Sequence, residues 1–163
     1  ECPLQNYIRG MHSCMPKNRG LAMIIPMRIG IIGGMHFSEK MIEVRKELEK
    51  LGHDPFHTGI IDAFIGMPEQ ERDAEKQKNF AENNAIREFW NKMQGADAVL
   101  VLNFDRHDIK NYIGGNTLME IGFAHVLNQK IFLWNPIPEI PYYKMEIDAV
   151  KPVVINGDLR LIK

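Results

Sequence analysis

Apolar positions along this chain fall into short runs separated by helical stripes. "MRIGIIGG", Met27–Gly34, is apolar and β-branched and closes on two glycines, which reads as a buried strand followed by a tight turn. Beyond it, Met41, Val44, Leu48 and Leu51 recur at helical spacing with charges between them. Ser38 is suited to the N-cap of that helix and Gly52 to its stop. "HDPFHT" follows as a second, brief strand, and Thr58 to Glu71 reads as a long loop with room for one short helix. Arg72 to Gln94 predicts one long polar helix with a single apolar stripe of Ile86, Phe89, Trp90 and Met93. Ala98 to Leu102 is another buried strand, followed by the loop "DRHDIKNYIGGN" and a largely apolar helix through "TLMEIGFAHVL". "KIFLWN" is a further strand, "PIPEIPYYK" a Pro-rich loop, "MEIDAVK" a short helical piece and "PVVING" the last strand.

Strands and helices in alternation predict an α/β domain, doubly wound, with a mostly parallel sheet of about five strands and helices on both faces. The strands lack polar alternation, as strands covered on both sides do. The expected strand order is 2-1-3-4-5. In such sheets a ligand sits at the carboxyl ends of the strands, near the point where the order reverses. The loops there are Gly33–Phe37, Thr58–Glu71, Asn103–Asn116 and Asn135–Tyr143.

Residues 1–26 show no sustained period, and regularity begins at Met27. We read 1–26 as a loosely held extension or upstream read-through, without the evident parts of a signal peptide, and 27–163 as one domain. An edge strand over Leu21 to Ile25 is the alternative. A chain of 163 residues with 45% hydrophobic and 25% charged residues can build a single soluble core. A formal net charge of −1 gives no general attraction to nucleic-acid polymers or anionic membranes. No apolar run approaches the roughly 18–20 residues that span a bilayer. The two cysteines, Cys2 and Cys14, both lie in the extension, so the body has no thiolate metal site or disulfide framework, which suits a cytoplasmic location.

The candidate chemistry is sparse. The dinucleotide and P-loop fingerprints are absent, and so is a zinc-protease helix. His53 and His57 are four apart in extended structure, which separates them by about 13 Å and argues against a shared metal. Neither a metal nor a cofactor is expected. Gly33, Gly34, Met35, His36 and Phe37 join the first strand to the first helix, where glycines permit close approach and free N–H groups favour an anion. Glu120 stands out as a carboxylate in an apolar helix. Thr117 and Glu120 fit a capping box, which would give the Glu a purely structural task. The preceding "NYIGGN" looks built for a small polar ligand instead. Asn103, at the end of the central strand, and Tyr112 are secondary candidates, while His125, Phe89 and Trp90 read as packing residues.

Ala96 to Asn135, "ADAVLVLN…GGNTLMEIGFAHVLNQKIFLWN", resembles the nucleoside 2-deoxyribosyltransferase-like superfamily of Rossmann-like proteins. The pattern G-x-T-x-x-E-x-G-x-A falls on Gly115, Thr117, Glu120, Gly122 and Ala124, and the likeness extends from Met27 to about Leu161. The resemblance implies cleavage of the N-glycosidic bond of a nucleoside or nucleotide, by hydrolysis or deoxyribosyl transfer, with Glu120 as nucleophile. It also implies a small-molecule partner and a homo-oligomer. Gly33 to Phe37 would then cradle the sugar or 5′-phosphate, and Asn103, Asn111, Gly115 and Asn116 would line the remainder. The sequence departs from the family at two acids. An Asp expected six residues before the Glu is Gly114, and another falls on Phe89, beside Glu88. Asn111, Asn116, Glu88, Asp105 and Asp108 are the possible substitutes. Two alternatives follow: a nucleotide-binding or sensing domain without turnover, and a phosphoribohydrolase of nucleoside monophosphates, which uses a similar G-G-x-G-T-x-x-E signature; here the glycine before Thr117 is replaced by Asn116.

Overall fold

The computed structural model describes residues 25–163, with 79–83 described by their backbone alone. The extension and its alternative edge strand thus lie almost wholly outside the described residues. Five parallel strands form one sheet in the order β2-β1-β3-β4-β5, the doubly wound order expected. They are β1 (Arg28–Gly33), β2 (Asp54–Phe56), β3 (Ala98–Leu102), β4 (Lys130–Leu133) and β5 (Val153–Val154). β3 is buried at every position, because both faces of the sheet are covered.

Alternate residues of the strands feed two cores. On one face, Ile29, Ile31, Leu100 and Leu102 pack against Met41, Val44 and Leu48 of α1 (Ser38–Lys50) and Ile61 and Phe64 of α2 (Ile61–Phe64). On the other, Ile32, Val99, Val101 and Leu133 meet three further helices. These contribute Phe89 and Met93 of α4 (Ala85–Met93), Ile121 and Ala124 of α5 (Gly115–Val126), and Ile147 of α6 (Lys144–Ala149). The period-2 alternation of the strands and the 3.6-residue stripes of the helices thus meet in the two cores.

Three sequence expectations are corrected. The long helix from Arg72 to Gln94 is two helices, α3 (Glu69–Asn83) and α4, broken at Asn84, whose φ of 46° and ψ of 48° place it in the left-handed region. Asn is among the few residues that enter that region readily. The break turns α4 onto the sheet and lets α3 cross the carboxyl ends of the strands, packing on the Met35–Phe37 turn. Ser38 does not cap α1 from outside: it is the first helical residue, and its hydroxyl donates back to Met35 O. His125 is exposed, not packed. No helix among the described residues is long and apolar enough to cross a membrane.

Candidate functional site

β1 and β3 lie side by side with Gly33 opposite Leu102, and beyond these residues their chains diverge to opposite faces. A cavity of about 190 Å³ opens there. Gly33, Gly34, Met35 and Phe37 form its floor beside β1, and Gly114, Gly115, Asn116, Thr117 and Glu120 form the wall from α5. Asp73 and Lys76 reach it from α3, Ala85 and Phe89 from α4, and Arg106, His107 and Tyr112 from the loop after β3. Gly33 is required by packing. A Cβ there would stand 3.0 Å from both Leu102 O and Met41 Cε, so only glycine lets β1 run this close to β3.

Glu120 is 9% exposed, on the second turn of α5. The helix begins at Gly115 with Gly114 as N-cap, so Thr117 lies inside the helix and the capping box is not formed. No side chain caps this helix start. The Glu120 carboxyl instead receives a hydrogen bond from Asn116 Nδ2 to Oε1 at 3.2 Å, one turn earlier on the same helix. Burial pushes its pKa up from 4.5 to about 8, opposed by the positive charge of Lys76. Below that pH the group is mainly a neutral acid. Its conjugate base is correspondingly more basic than an exposed carboxylate.

The floor is held from outside by Arg72. Its Nη1 donates to His36 O at 2.9 Å and its Nε to Met67 O at 2.9 Å, pinning the turn after β1 to the loop before α3. His36 belongs to this outer layer. Its side chain lines a neighbouring groove with Glu39, Glu69 and Arg106, and its Nε2 lies 3.2 Å from Asp73 Oδ1. Burial, then the charge of Arg106, lowers the His36 pKa, and the His36 hydrogen bond holds that of Asp73 down. Arg106 Nη2 also approaches Asp73, at 3.8 Å, so Lys76, Arg106 and Asp73 together make one polar quarter of the cavity.

Of the residues proposed from sequence, the structure brings Gly33, Gly34, Met35, Phe37, Gly115, Asn116 and Glu120 to one cavity. Asn103 and Asn111 are not in its lining. Asn103 is fully buried: its Nδ2 donates to Asn135 O and Pro136 O, both at 3.0 Å, and its Oδ1 accepts from Asn135 N–H at 2.8 Å. It ties the end of β3 to the end of β4. Asn111 adopts a φ of 56° and donates its N–H to Asp105 Oδ1 at 2.9 Å, shaping the loop. Glu88 is engaged beside the site, accepting from Gly59 N–H at 3.3 Å and pairing with Lys92 at 2.8 Å. His53 and His57 have separate structural partners, Met27 N–H for one, Arg45 and Thr58 for the other.

Sequence reasoning missed Asp73, Lys76 and Arg72. They sit on a helix that reads as a solvated surface, and only the spacing of Asp73 and Lys76, three apart, marks a shared face. Thr58, Ile60, Arg106 and Tyr112 lie within loops that topology had already singled out.

The fold and the site together define a doubly wound α/β domain with a buried glutamate facing a small-ligand cavity at its switch point. No protein-family model matches the chain, and no curated protein matches it at a significant level.

Proposed function

We propose that this protein cleaves the N-glycosidic bond of a nucleoside or nucleotide, by hydrolysis or by transfer of the sugar, with Glu120 as nucleophile. One observation carries the reading: the Glu120 carboxyl is buried in the wall of the switch-point cavity and is not spent on capping its own helix. Breaking the bond builds positive charge on the sugar's anomeric carbon, C1′, and a desolvated carboxylate stabilises that charge far better than a solvated one. An oxygen of Glu120 bonds to C1′ as the C1′–N bond breaks. The electron pair leaves on the base nitrogen, which takes a proton from water. Water, or a second base, then attacks C1′ and frees the carboxylate. A 5′-phosphate would lie toward Lys76, Arg106 and the Gly33–Gly34 turn, where cations and glycine backbone meet.

The raised pKa also favours a second reading, ligand binding without turnover. A neutral carboxylic acid donates as well as accepts a hydrogen bond and can serve as a recognition group.

A panel of nucleosides and nucleoside 5′-monophosphates, with free base followed by chromatography, tests both. Release by wild type and none by Glu120→Ala supports the glycosidic reading. Tight binding without release from any member, retained in Glu120→Gln, selects the second. Silence in both assays overturns both.

A further inference from the structure

Two carboxylates line the switch-point cavity among the described residues, and they come from different elements: Glu120 from α5 and Asp73 from α3. None of the acids weighed from sequence as substitutes, Glu88, Asp105 and Asp108, is in that lining. The surroundings of the two differ in kind. Glu120 is buried, and desolvation pushes its pKa up to about 8. The Asp73 side chain is 66% exposed, and its Oδ1 lies 3.2 Å from His36 Nε2 and 3.8 Å from Arg106 Nη2. The hydrogen bond from His36 holds the Asp73 pKa below its usual value, so this group is a carboxylate at neutral pH. An ionised carboxylate only accepts, so Nε2 carries the ring proton. His36 itself is nearly buried, on the turn that forms the cavity floor. Asp73 is thereby pinned to the floor while staying open to water. Two titratable groups driven apart within one cavity mark a division of acid and base work.

Resting on the glycosidic reading, we propose that Asp73 is the general base of the second half of the reaction: it takes a proton from the water that attacks C1′, so the sugar passes to water rather than to a second base. The first half leaves the sugar bonded through C1′ to an oxygen of Glu120. The water oxygen then bonds to C1′. The C1′–O bond to Glu120 breaks, and its electron pair returns to the carboxylate. The proton lost by the water goes to Asp73, which releases it to solvent. Glu120 cannot activate this water, because the sugar occupies its oxygen. Glycosidases give that task to a second carboxyl group, set apart from the nucleophile. The exposure of Asp73 brings water to the group that must deprotonate it, and the contacts to His36 and Arg106 fix its place.

The test follows base and sugar released from nucleosides and their 5′-monophosphates by wild type and Asp73→Asn. Asparagine keeps an acceptor for His36 but is no base. The variant should release base rapidly, up to about one equivalent per protein, and then turn over about 100-fold or more slower than wild type. Intact-mass spectrometry should show the sugar adduct on Asp73→Asn, and none on Glu120→Ala. Azide attacks without losing a proton, so it should restore turnover of Asp73→Asn and yield the glycosyl azide. Steady turnover within a few-fold of wild type overturns the assignment. So does a burst lowered together with the steady rate, or a slowed variant that azide does not restore. Base release by wild type only when a second base is supplied also overturns it, and leaves the glycosidic reading standing. No release by wild type under either condition overturns both.

Discussion

Arg72 on α3 grips Glu39 on α1, with Nη2 2.6 Å from Oε1. The same guanidinium donates to the carbonyl of His36, so one side chain joins two helices and the turn between β1 and α1. The Arg72 side chain is nearly buried, whereas that of Glu39 is about half exposed. Replacing Arg72 by Ala should therefore cost about 2–4 kcal/mol, chiefly through stranded carbonyl acceptors and not through a lost surface ion pair. Urea unfolding measures it. Arg72→Lys should recover little, since one ammonium cannot serve acceptors spread around a planar fork. The hydrogen bond from Arg72 holds the Glu39 pKa below its usual value, so this contribution is present above pH 4.5 and is lost as pH falls further.

Glu120 opposes stability in the other direction of pH. The folded protein keeps a proton there up to about pH 8, whereas the unfolded chain releases it near 4.5. Stability should fall as pH rises between those values and level off above them. Glu120→Gln cannot ionise, so it should be more stable than wild type at pH 9 by on the order of a few kcal/mol, with the difference vanishing below pH 4.5. Unfolding curves at pH 4 and pH 9 check this. For a carboxylate nucleophile, kcat/KM should rise with pH and flatten near pH 8.

Lys76 and Arg106 form the cationic quarter of the cavity. Replacing either by Ala should weaken binding of nucleoside monophosphates about 10-fold or more, and of the parent nucleosides much less. Titration calorimetry across both ligand classes reads the difference. Equal losses for both classes would argue against a phosphate near these side chains.

Asn103→Ala should be a stability variant. It strands Asn135 N–H and two carbonyls that now have partners, at a cost of about 2–4 kcal/mol. Ligand affinity, measured where the variant is still folded, should change little, since Asn103 is not in the cavity lining.

The helix break offers a backbone test. At φ 46°, Asn84 sits where a β-branched side chain is strained, so Asn84→Val should cost about 1–2 kcal/mol, whereas Asn84→Gly should be close to neutral. Thermal unfolding of the pair separates conformational strain from any loss of side-chain contact.

The architecture was legible because it depends on local pattern. β3 reads as a buried strand from five consecutive apolar residues, and Met41, Val44 and Leu48 mark a helix face by spacing alone. Such periods are imposed by strand and helix geometry, so they survive in a single sequence. Asn84 was harder, since an Asn within a continuous helical pattern gives no sign that its backbone has turned left-handed. The order of the strands also located the loops that carry Thr58, Arg106 and Tyr112, without saying which of their residues face inward.

By itself, the sequence determined the layered α/β plan, the glycine turn after β1 and the presence of one anomalous carboxylate at Glu120. The tertiary structure alone decided the surroundings of that carboxylate. The start of α5 at Gly115 takes Thr117 out of the capping position, and the packing of α3 across the strand ends buries Glu120 beside Lys76. Spacing along a chain sets which residues share a face. Desolvation depends on what other segments bring to that face, and no local period records it.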